Sequence, residues 1–269
     1  RQLPKLAAMA IPEPSSTSTA LVTGASSGIG REIARLLARR GHHVTLVARN
    51  EQRLRELQVE LGGEQRATVL VCDLADAGER DEVAQAVTRT VDVLVNNAGF
   101  GIYKPFVESD RQMELAQVRV LVEAVVDLTA RWLPGMVERR RGCVINVSSV
   151  SAFQPLPGNA GYAAAKAHVL LFSEALHAEV KEHGVTVTAV CPGPVHTEFQ
   201  ERNGAHFADR LPRFVWLDPE RVARDALDAA DAGRRTVVPG GPQVRAAFAP
   251  NRYVPTTIAL PIASRLMRG

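Results

Sequence analysis

The chain has few cysteines and no cluster of side chains suited to bind a metal. Three of its 269 residues are cysteines, and Cys72, Cys143 and Cys191 lie far apart, in or beside apolar stretches. This spacing excludes a disulfide framework and a cysteine-based metal site, so we expect three buried, reduced thiols. No other group of histidines, cysteines and carboxylates has ligand spacing. The sequence therefore predicts no catalytic metal.

The sequence also lacks a long apolar run and a strong net charge. No stretch of about 20 apolar residues is present, so we expect no integral membrane segment. The formal net charge is only +3, and no basic stripe with interleaved aromatic residues is present, so we expect no nucleic-acid partner. The composition, with 46% hydrophobic and 23% charged residues, is typical of a soluble protein. We expect a cytoplasmic location.

Short apolar runs alternate with helix-like stretches along the whole chain. This alternation predicts an α/β protein with a parallel sheet flanked by helices. Residues 1–15 do not share the pattern, and we expect them to form a flexible arm. Residues 16–269 are predicted to form a single domain, which is an ordinary size for this class.

A glycine-rich turn follows the first apolar run. Residues 19–23 read as a buried strand, Gly24, Gly28 and Gly30 follow, and an amphipathic helix pattern then continues to Gly41. A strand, a glycine turn and a helix form the context that a dinucleotide requires. Small residues let the backbone approach the pyrophosphate, and the helix N-terminus offers free N–H groups.

The second predicted strand, residues 44–48, ends beside an arginine. Dinucleotide folds that use NAD place an acidic residue near this strand end, where it holds the ribose 2′-hydroxyl. Here Ala48 takes that place and Arg49 follows. An arginine attracts a 2′-phosphate, and the Ser26 hydroxyl would add a second contact to it. The sequence therefore favours NADPH over NADH; the alternative is that Arg49 is a solvated loop cation.

Three residues near the middle of the chain have the spacing of an acid-base site. Ser149 precedes Tyr162 by thirteen residues, and Lys166 follows Tyr162 by four. A four-residue step on a helix places Tyr162 and Lys166 on one face, one turn apart. A lysine ammonium favours the ionised phenol, which suits Tyr162 to exchange a proton, while Ser149 could hold a substrate oxygen. The alternative is a half-buried tyrosine beside a solvated lysine.

These motifs together resemble the short-chain dehydrogenase/reductase family. The resemblance covers about residues 17–240, and it implies a Rossmann-type doubly wound, mostly parallel seven-stranded sheet with helices on both faces. The matching segments follow the family's order: TGASSGIG at 23–30, Asp73-Leu74, NNAG at 96–99, INVSS at 145–149, YAAAK at 162–166 and PGPVHT at 192–197.

The resemblance also implies a role for each motif. Tyr162 would donate the proton in a reduction, Lys166 would lower its pKa and hold the nicotinamide ribose, and Ser149 would orient the carbonyl. Asp73 would accept a hydrogen bond from the adenine amino group, and the residues from 192 to 197 would lie along the nicotinamide. The other implied cofactor contacts are Gly24, Ser26, Ser27, Gly28, Ile29, Gly30, Arg49, Leu74, Asn97, Ala98, Gly99, Pro192, Gly193, Val195 and Thr197.

One position departs from the family pattern. Many members carry an asparagine on the long helix before the serine-bearing strand, where it supports a proton-relay water. Leu121 stands at that position here, and a leucine cannot hold a water; Gln117, one turn earlier, is a candidate substitute. The departure leaves a non-catalytic NADP-binding sensor or partner protein as an alternative function.

Within the family, the chain resembles actinobacterial reductases of 3-oxo-acyl lipids, of the mycolate-reductase type. This resemblance rests on IPEPSS before the first strand and on residues 210–227 and 234–240. It implies NADPH-dependent reduction of a ketone on a hydrophobic substrate to a secondary alcohol. The alternative within the family is oxidation of a steroid or retinoid alcohol by the same residues.

Two segments near the end of the chain are candidates for substrate contact. Residues 194–217 are predicted to form a lid, because they are unusually aromatic and apolar for a loop. The alternative is that these residues only pack the lid on the protein's own body. The apolar lid candidates are Phe199, Phe207, Leu211, Phe214, Val215 and Trp216, and further pocket candidates after other strands are Phe100, Ile102, Tyr103, Phe153 and Leu156.

The tail and the longest helix are candidates for contacts with other molecules. The tail, residues 241–269, is apolar with spaced cations, and we expect it to cover the cleft, join an oligomer interface or touch a membrane surface peripherally. A helix predicted over 110–141 carries apolar stripes and suggests a homodimer or homotetramer; alternatively, the stripes only face the sheet. The stripe residues are Val118, Leu121, Val122, Val125 and Val126.

Overall fold

Seven parallel strands form the centre of the protein. The computed structural model describes residues 10–199 and 212–268, with side chains through Arg265. The strands are β1 (Ser18–Thr23), β2 (Val44–Ala48), β3 (Ala67–Val71), β4 (Thr90–Asn96), β5 (Gly142–Val147), β6 (Val185–Val190) and β7 (Thr236–Val237). Their order in the sheet is β3-β2-β1-β4-β5-β6-β7, and every neighbouring pair is parallel. The predicted doubly wound fold is confirmed.

Helices connect the strands and cover the sheet. The described helices are α1 (Gly28–Arg39), α2 (Glu51–Leu61), α3 (Ala77–Ala86), α4 (Arg111–Val118), α5 (Ala124–Glu138), α6 (Ala160–Val180), α7 (Pro219–Asp231), α8 (Pro242–Phe248) and α9 (Thr256–Arg268). A π-helical turn, Arg119–Glu123, joins α4 to α5, so the long helix expected over 110–141 runs from 111 to 138 with a wider turn in its middle.

The strands are buried on both faces, as a parallel sheet between two helical layers requires. Successive residues point to opposite faces, so Leu21 packs in one core cluster while Ala20 and Val22 pack in the other. One cluster includes side chains from α1, α2 and α7, and the other includes side chains from α3, α5 and α6. All three cysteines are buried, free thiols, as predicted.

The strand order reverses at β1, which lies between β2 and β4. In a doubly wound sheet a crevice opens at such a reversal, beyond the carboxyl ends of the strands, and ligands bind there. The residues that follow β1, β4, β5 and β6 therefore meet at one edge of the sheet. The glycine turn, Asn97, Ser149 and Pro192 lie at this edge.

Both ends of the described chain are attached to the body of the protein. Ile11 is buried in the core beside α1 and α7, and its backbone N–H donates to Asp231 Oδ1 at 3.2 Å. The expected arm of residues 1–15 therefore does not extend to Ile11, because an apolar side chain gains from that pocket; residues 1–9 lie outside the described part of the chain. In the tail, Arg252 Nη1 donates to Glu174 Oε1 at 2.9 Å, which fastens the segment before α9 to α6.

Apolar side chains of the tail remain at the surface. Tyr253, Ile258 and Ile262 are all more than half exposed. Within the described residues, no helix is both long enough and apolar enough to cross a lipid bilayer.

Candidate active site

The glycine turn between β1 and α1 forms a cradle of backbone atoms. Gly24 and Gly28 have φ values of 65° and 55°, a region that favours glycine. A Cβ on Gly30 would lie 2.3 Å from Asn97 Nδ2 and 2.5 Å from the Gly24 carbonyl oxygen, so a side chain has no room there. Ser27, at the N-cap of α1, makes no side-chain capping bond. The first-turn N–H groups are therefore available to an anion, and the cradle fits a dinucleotide pyrophosphate.

Thr23 fastens the end of β1 to the end of β4. Its Oγ1 accepts hydrogen bonds from the backbone N–H groups of Asn97, at 2.9 Å, and Ala98, at 3.1 Å. The Asn97 side chain donates through Nδ2 to the Thr23 carbonyl oxygen at 2.9 Å. Asn97 and Ala98 thus lie beside the glycine turn, and the Asn97 amide nitrogen is engaged in holding the turn.

The adenosine side of the cleft lies beyond β2 and β3. Arg49 is exposed at the end of β2 and forms no salt bridge among the described residues. Asp73 follows β3, where its Oδ1 accepts from the Ala75 N–H at 3.0 Å. Its backbone N–H donates to Glu79 Oε2 at 2.6 Å, and the neighbouring Leu74 is buried. Both polar side chains thus stand at the strand ends where the sequence placed them.

The structure brings Ser149, Tyr162 and Lys166 together, and all three are buried. Tyr162 and Lys166 lie one turn apart on α6, with Lys166 Nζ 5.7 Å from the centre of the Tyr162 ring. Lys166 Nζ donates to the Val147 carbonyl oxygen at 2.7 Å, and Ser148 Oγ donates to the Lys166 carbonyl oxygen at 2.7 Å. The end of β5 therefore positions the lysine through both its side chain and its backbone.

Burial controls the protonation of the pair. It raises the pKa of Tyr162, the neighbouring Tyr103 raises it further, and a hydrogen bond with Ser149 lowers it in part. Burial also lowers the pKa of Lys166 to about 8. Burial therefore shifts the pKa of Tyr162 in the direction opposite to the shift that the family resemblance implies for Lys166, because loss of water around the phenol favours its neutral form.

Aromatic rings line the space beside the Tyr162 side chain. The ring centre of Phe199 lies 5.8 Å from that of Tyr162, and the ring centre of Tyr103 lies 6.4 Å away. Burial raises the pKa of Tyr103 to about 12, so it too is protonated. Phe199 and Tyr103 are therefore the predicted pocket candidates that the structure brings next to Tyr162.

Other pocket candidates point elsewhere. Phe153 packs in a small cluster with Leu170 and Cys191, and Phe100 packs against the core on the α5 face. Both follow strands as predicted, but they face the interior, since their rings gain more from core packing than from a pocket wall. Among the lid candidates, Val215 is buried and Phe214 is exposed. Trp216 stacks on His196 at 4.9 Å, and Phe207 and Leu211 lie outside the described residues.

The segment after β6 follows the cleft from the serine strand to the glycine turn. The Pro192 carbonyl oxygen accepts from the Val150 N–H at 3.0 Å, next to Ser149. A Cβ on Gly193 would lie 3.0 Å from Phe248 Cε2, and Val195 forms a β-bridge with Leu217. A Cβ on Gly28 would lie 3.1 Å from Thr197 Cγ2, so Thr197 stands over the glycine turn. This segment lies where a bound dinucleotide would run.

Leu121 fills the space where the family pattern has an asparagine. It is 1% exposed, and a Cβ on Gly99 would meet Leu121 Cδ2 at 2.6 Å and Lys166 Nζ at 3.8 Å. Leu121 therefore packs tightly over Gly99 and close to Lys166. Gln117 is fully buried near Gly161, and neither of its amide atoms has a hydrogen-bond partner within the described residues.

A buried network of hydrogen-bonded polar side chains, close to the site, was not predicted from the sequence. Asn96 Nδ2 donates to Asn146 Oδ1 at 2.8 Å, and Asn146 Nδ2 donates to Ser173 Oγ at 2.9 Å. Asn96 Nδ2 also lies 3.2 Å from Thr129 Oγ1. This network links β4, β5, α5 and α6, so it connects the strand that precedes Ser149 with the helix that carries Tyr162 and Lys166. Two asparagines inside otherwise apolar strands were the available signal.

Comparison with known proteins finds relatives that match the part of the chain containing the candidate site. A family model described as short chain dehydrogenase matches residues 18–207. A Streptomyces violaceoruber protein named as ketoacyl reductase 1 of the granaticin polyketide synthase is 40% identical over 226 residues, which cover 82% of this chain and 81% of that protein. A very-long-chain 3-oxoacyl-CoA reductase from Anas platyrhynchos is 33% identical over 77% of this chain and 67% of its own length.

A solved structure supports the same likeness. A short-chain dehydrogenase from Sphingobium yanoikuyae, in complex with NADPH, superposes with a TM-score of 0.76 at 32% identity. The match covers 82% of this chain and 87% of that one.

Among residues 10–199 and 212–268, no group of three histidines, cysteines or carboxylates could hold a metal ion.

Proposed function

The chain belongs to the short-chain dehydrogenase family, and from that premise we propose that it is an NADPH-dependent reductase of a ketone on a hydrophobic substrate. The family membership makes it an oxidoreductase with a nicotinamide cofactor. The observation that carries the proposal further is the buried set of Ser149, Tyr162 and Lys166, in which the phenol is protonated. A protonated phenol is the form that can give a proton to a carbonyl oxygen.

Each side chain then has one task. The reduced nicotinamide, when bound, supplies a hydride to the carbonyl carbon. Tyr162 gives its phenolic proton to the carbonyl oxygen, and Ser149 holds that oxygen by a hydrogen bond as negative charge grows on it. Lys166, fixed by its bond to the Val147 carbonyl oxygen, keeps a positive charge near the phenolate that remains. The products are a secondary alcohol and the oxidised cofactor.

Burial raises the pKa of Tyr162 and so favours the protonated phenol, which is the form that a reduction uses. An oxidation would begin from the phenolate, and oxidation of a steroid or retinoid alcohol is the alternative function of the same residues.

Arg49 supports the proposed preference for NADPH over NADH. It is an exposed cation at the end of β2, where a dinucleotide fold holds the adenosine ribose. Arg49→Asp should weaken NADPH binding by at least about tenfold, because a hydrogen-bonded charge pair is lost and a repulsion gained. Titration of NADPH fluorescence, compared with the same titration of NADH, measures this. Equal weakening of both cofactors would argue against a 2′-phosphate contact.

Apolar surroundings support a hydrophobic, 3-oxo-acyl-like substrate. Phe199 and Leu121 contact the Tyr162 side chain in one cluster, and Tyr103 lies close by. Two relatives carry names of enzymes that act on ketoacyl or 3-oxoacyl-CoA groups. The test is NADPH consumption with 3-oxo-acyl thioesters of increasing chain length. We expect kcat/KM to rise with length; turnover of small polar ketones alone would contradict the substrate class.

The surface of the long helix supports a homodimer or homotetramer. Its apolar stripe divides, with Leu121 and Val125 buried and Val118 and Val126 exposed. Leu171 on α6 is 63% exposed as well. The exposed half is available to a second copy. Leu171→Arg should lower the mass measured by sedimentation if this face joins two copies, and an unchanged mass would argue against it.

A further inference from the structure

An ion pair joins α2 to the segment that follows β6. Arg53, in the first turn of α2, places Nη1 at 2.8 Å from Glu198 Oε2. The two side chains come from distant parts of the chain, and each keeps about a third of its surface exposed, 35% for Arg53 and 38% for Glu198. Arg53 lies four residues beyond Arg49, so both cations stand at the carboxyl end of β2.

The neighbours of Glu198 fix where its carboxylate lies. A Cβ on Gly28 would lie 3.1 Å from Thr197 Cγ2, so Thr197 lies over the glycine turn, and the Phe199 ring packs against Tyr162. Glu198 stands between them and reaches across to α2. A carboxylate is therefore held between the glycine turn and the end of β2, the region in which a dinucleotide fold places the adenosine ribose.

We propose that Arg53 is a second ligand of the cofactor 2′-phosphate and that Glu198 competes with that phosphate for the Arg53 guanidinium. This inference rests on the proposed NADPH preference. A guanidinium binds a phosphate or a carboxylate through the same donors, so it must exchange one for the other. The Glu198 carboxylate also repels the phosphate, because like charges oppose each other at short range. Glu198 thus sets how strongly the enzyme distinguishes NADPH from NADH.

The competition predicts opposite effects for the two partners. Glu198→Gln removes the competing charge while keeping the side-chain shape, and it should tighten NADPH binding about two- to fivefold, the scale of an exposed ion pair. Arg53→Met removes the shared cation, and it should weaken NADPH binding by about tenfold. Neither change should alter NADH binding by more than about twofold, because NADH has no 2′-phosphate.

The test is fluorescence titration of NADPH and NADH against wild type, Glu198→Gln, Arg53→Met and the double variant. In the double variant most of the gain from Glu198→Gln should vanish, since the competition acts through Arg53 and only the loss of direct repulsion is left. Matched controls come from the same helix: Arg55 pairs with Glu51 at 2.7 Å and is 59% exposed. Arg55→Met and Glu51→Gln make the same charge changes and should leave both affinities unchanged. Arg53→Lys, which keeps the charge, should restore part of the NADPH affinity.

The outcomes separate this inference from the proposed function. If the wild type prefers NADPH and Arg49→Asp removes the preference while Arg53→Met does not, the competition is overturned and the cofactor preference stands. Tightening of NADPH and NADH alike by Glu198→Gln would also overturn it. If the wild type shows no preference for NADPH, both proposals fall.

Discussion

The glycine turn after β1 and the serine-tyrosine-lysine set after β5 lie at one edge of the same sheet, but they are built differently. The turn offers backbone N–H groups and has no space for a side chain at Gly30. The set of Ser149, Tyr162 and Lys166 consists of buried side chains, and burial shifts the pKa values of Tyr162 and Lys166. In the proposed function, the first arrangement holds the pyrophosphate of the cofactor, and the second transfers a proton. Changes in the glycine turn, the cofactor half, should therefore affect cofactor binding. Changes in the serine-tyrosine-lysine set, the catalytic half of the proposal, should affect turnover.

A large effect that separates the two halves is expected at Ser149. Ser149→Ala should lower kcat by about 10²–10³-fold, as the loss of one donor to a developing oxyanion does. The Kd of NADPH should change by less than about twofold, because Ser149 belongs to the catalytic half. Ser151→Ala is the matched control, since its backbone N–H, not its side chain, contacts Ser149 Oγ. If Ser149→Ala also lost NADPH binding, the division into a cofactor-binding half and a catalytic half would be contradicted.

A smaller effect is expected at Gly30, and it should fall on stability and cofactor binding rather than on turnover. Gly30→Ala places a methyl group against the backbone of Gly24, and the turn must shift. We expect the free energy of unfolding to fall by about 1–3 kcal/mol and NADPH binding to weaken. Gly241→Ala is the control, because a Cβ there meets no atom within 4 Å. Denaturant unfolding and NADPH titration measure both effects; unchanged cofactor affinity in Gly30→Ala would show that the turn does not hold the dinucleotide.

The pH dependence of turnover reports on Lys166. Its pKa of about 8 means that it is charged below that pH and neutral above it. If the charged form supports proton transfer, initial rates of reduction should be constant below pH 7 and fall about tenfold per unit above pH 8. The Lys166→Arg variant keeps its charge, so any activity it retains should lack this alkaline fall. An identical fall in that variant would assign the titration to another group.

The sequence predicted the local features of the site more fully than the non-local ones. The glycine turn and the pair Tyr162 and Lys166 each lie within a single segment, so spacing alone placed them. The direction of the Phe153 ring and the burial of Ile11 depend on partners distant in sequence. No local pattern encodes those partners.

The protonation of Tyr162 and the pairing of residues distant in sequence could not be predicted from the sequence either. Its motifs placed Lys166 beside Tyr162, but the pKa of the tyrosine depends on how much water the whole fold excludes. The ion pair between Arg53 and Glu198 joins segments on opposite sides of the cleft, and each residue alone resembles a surface charge.

The most direct test of the account is to measure NADPH consumption and NADPH binding together for wild type and Tyr162→Phe. Phenylalanine keeps the ring against Phe199 and Tyr103 but has no proton to give. With a 3-oxo-acyl thioester as substrate, we expect kcat to fall by about 10²–10⁴-fold while the Kd of NADPH stays within about twofold. Turnover within tenfold of wild type would contradict the role of Tyr162 as the acid.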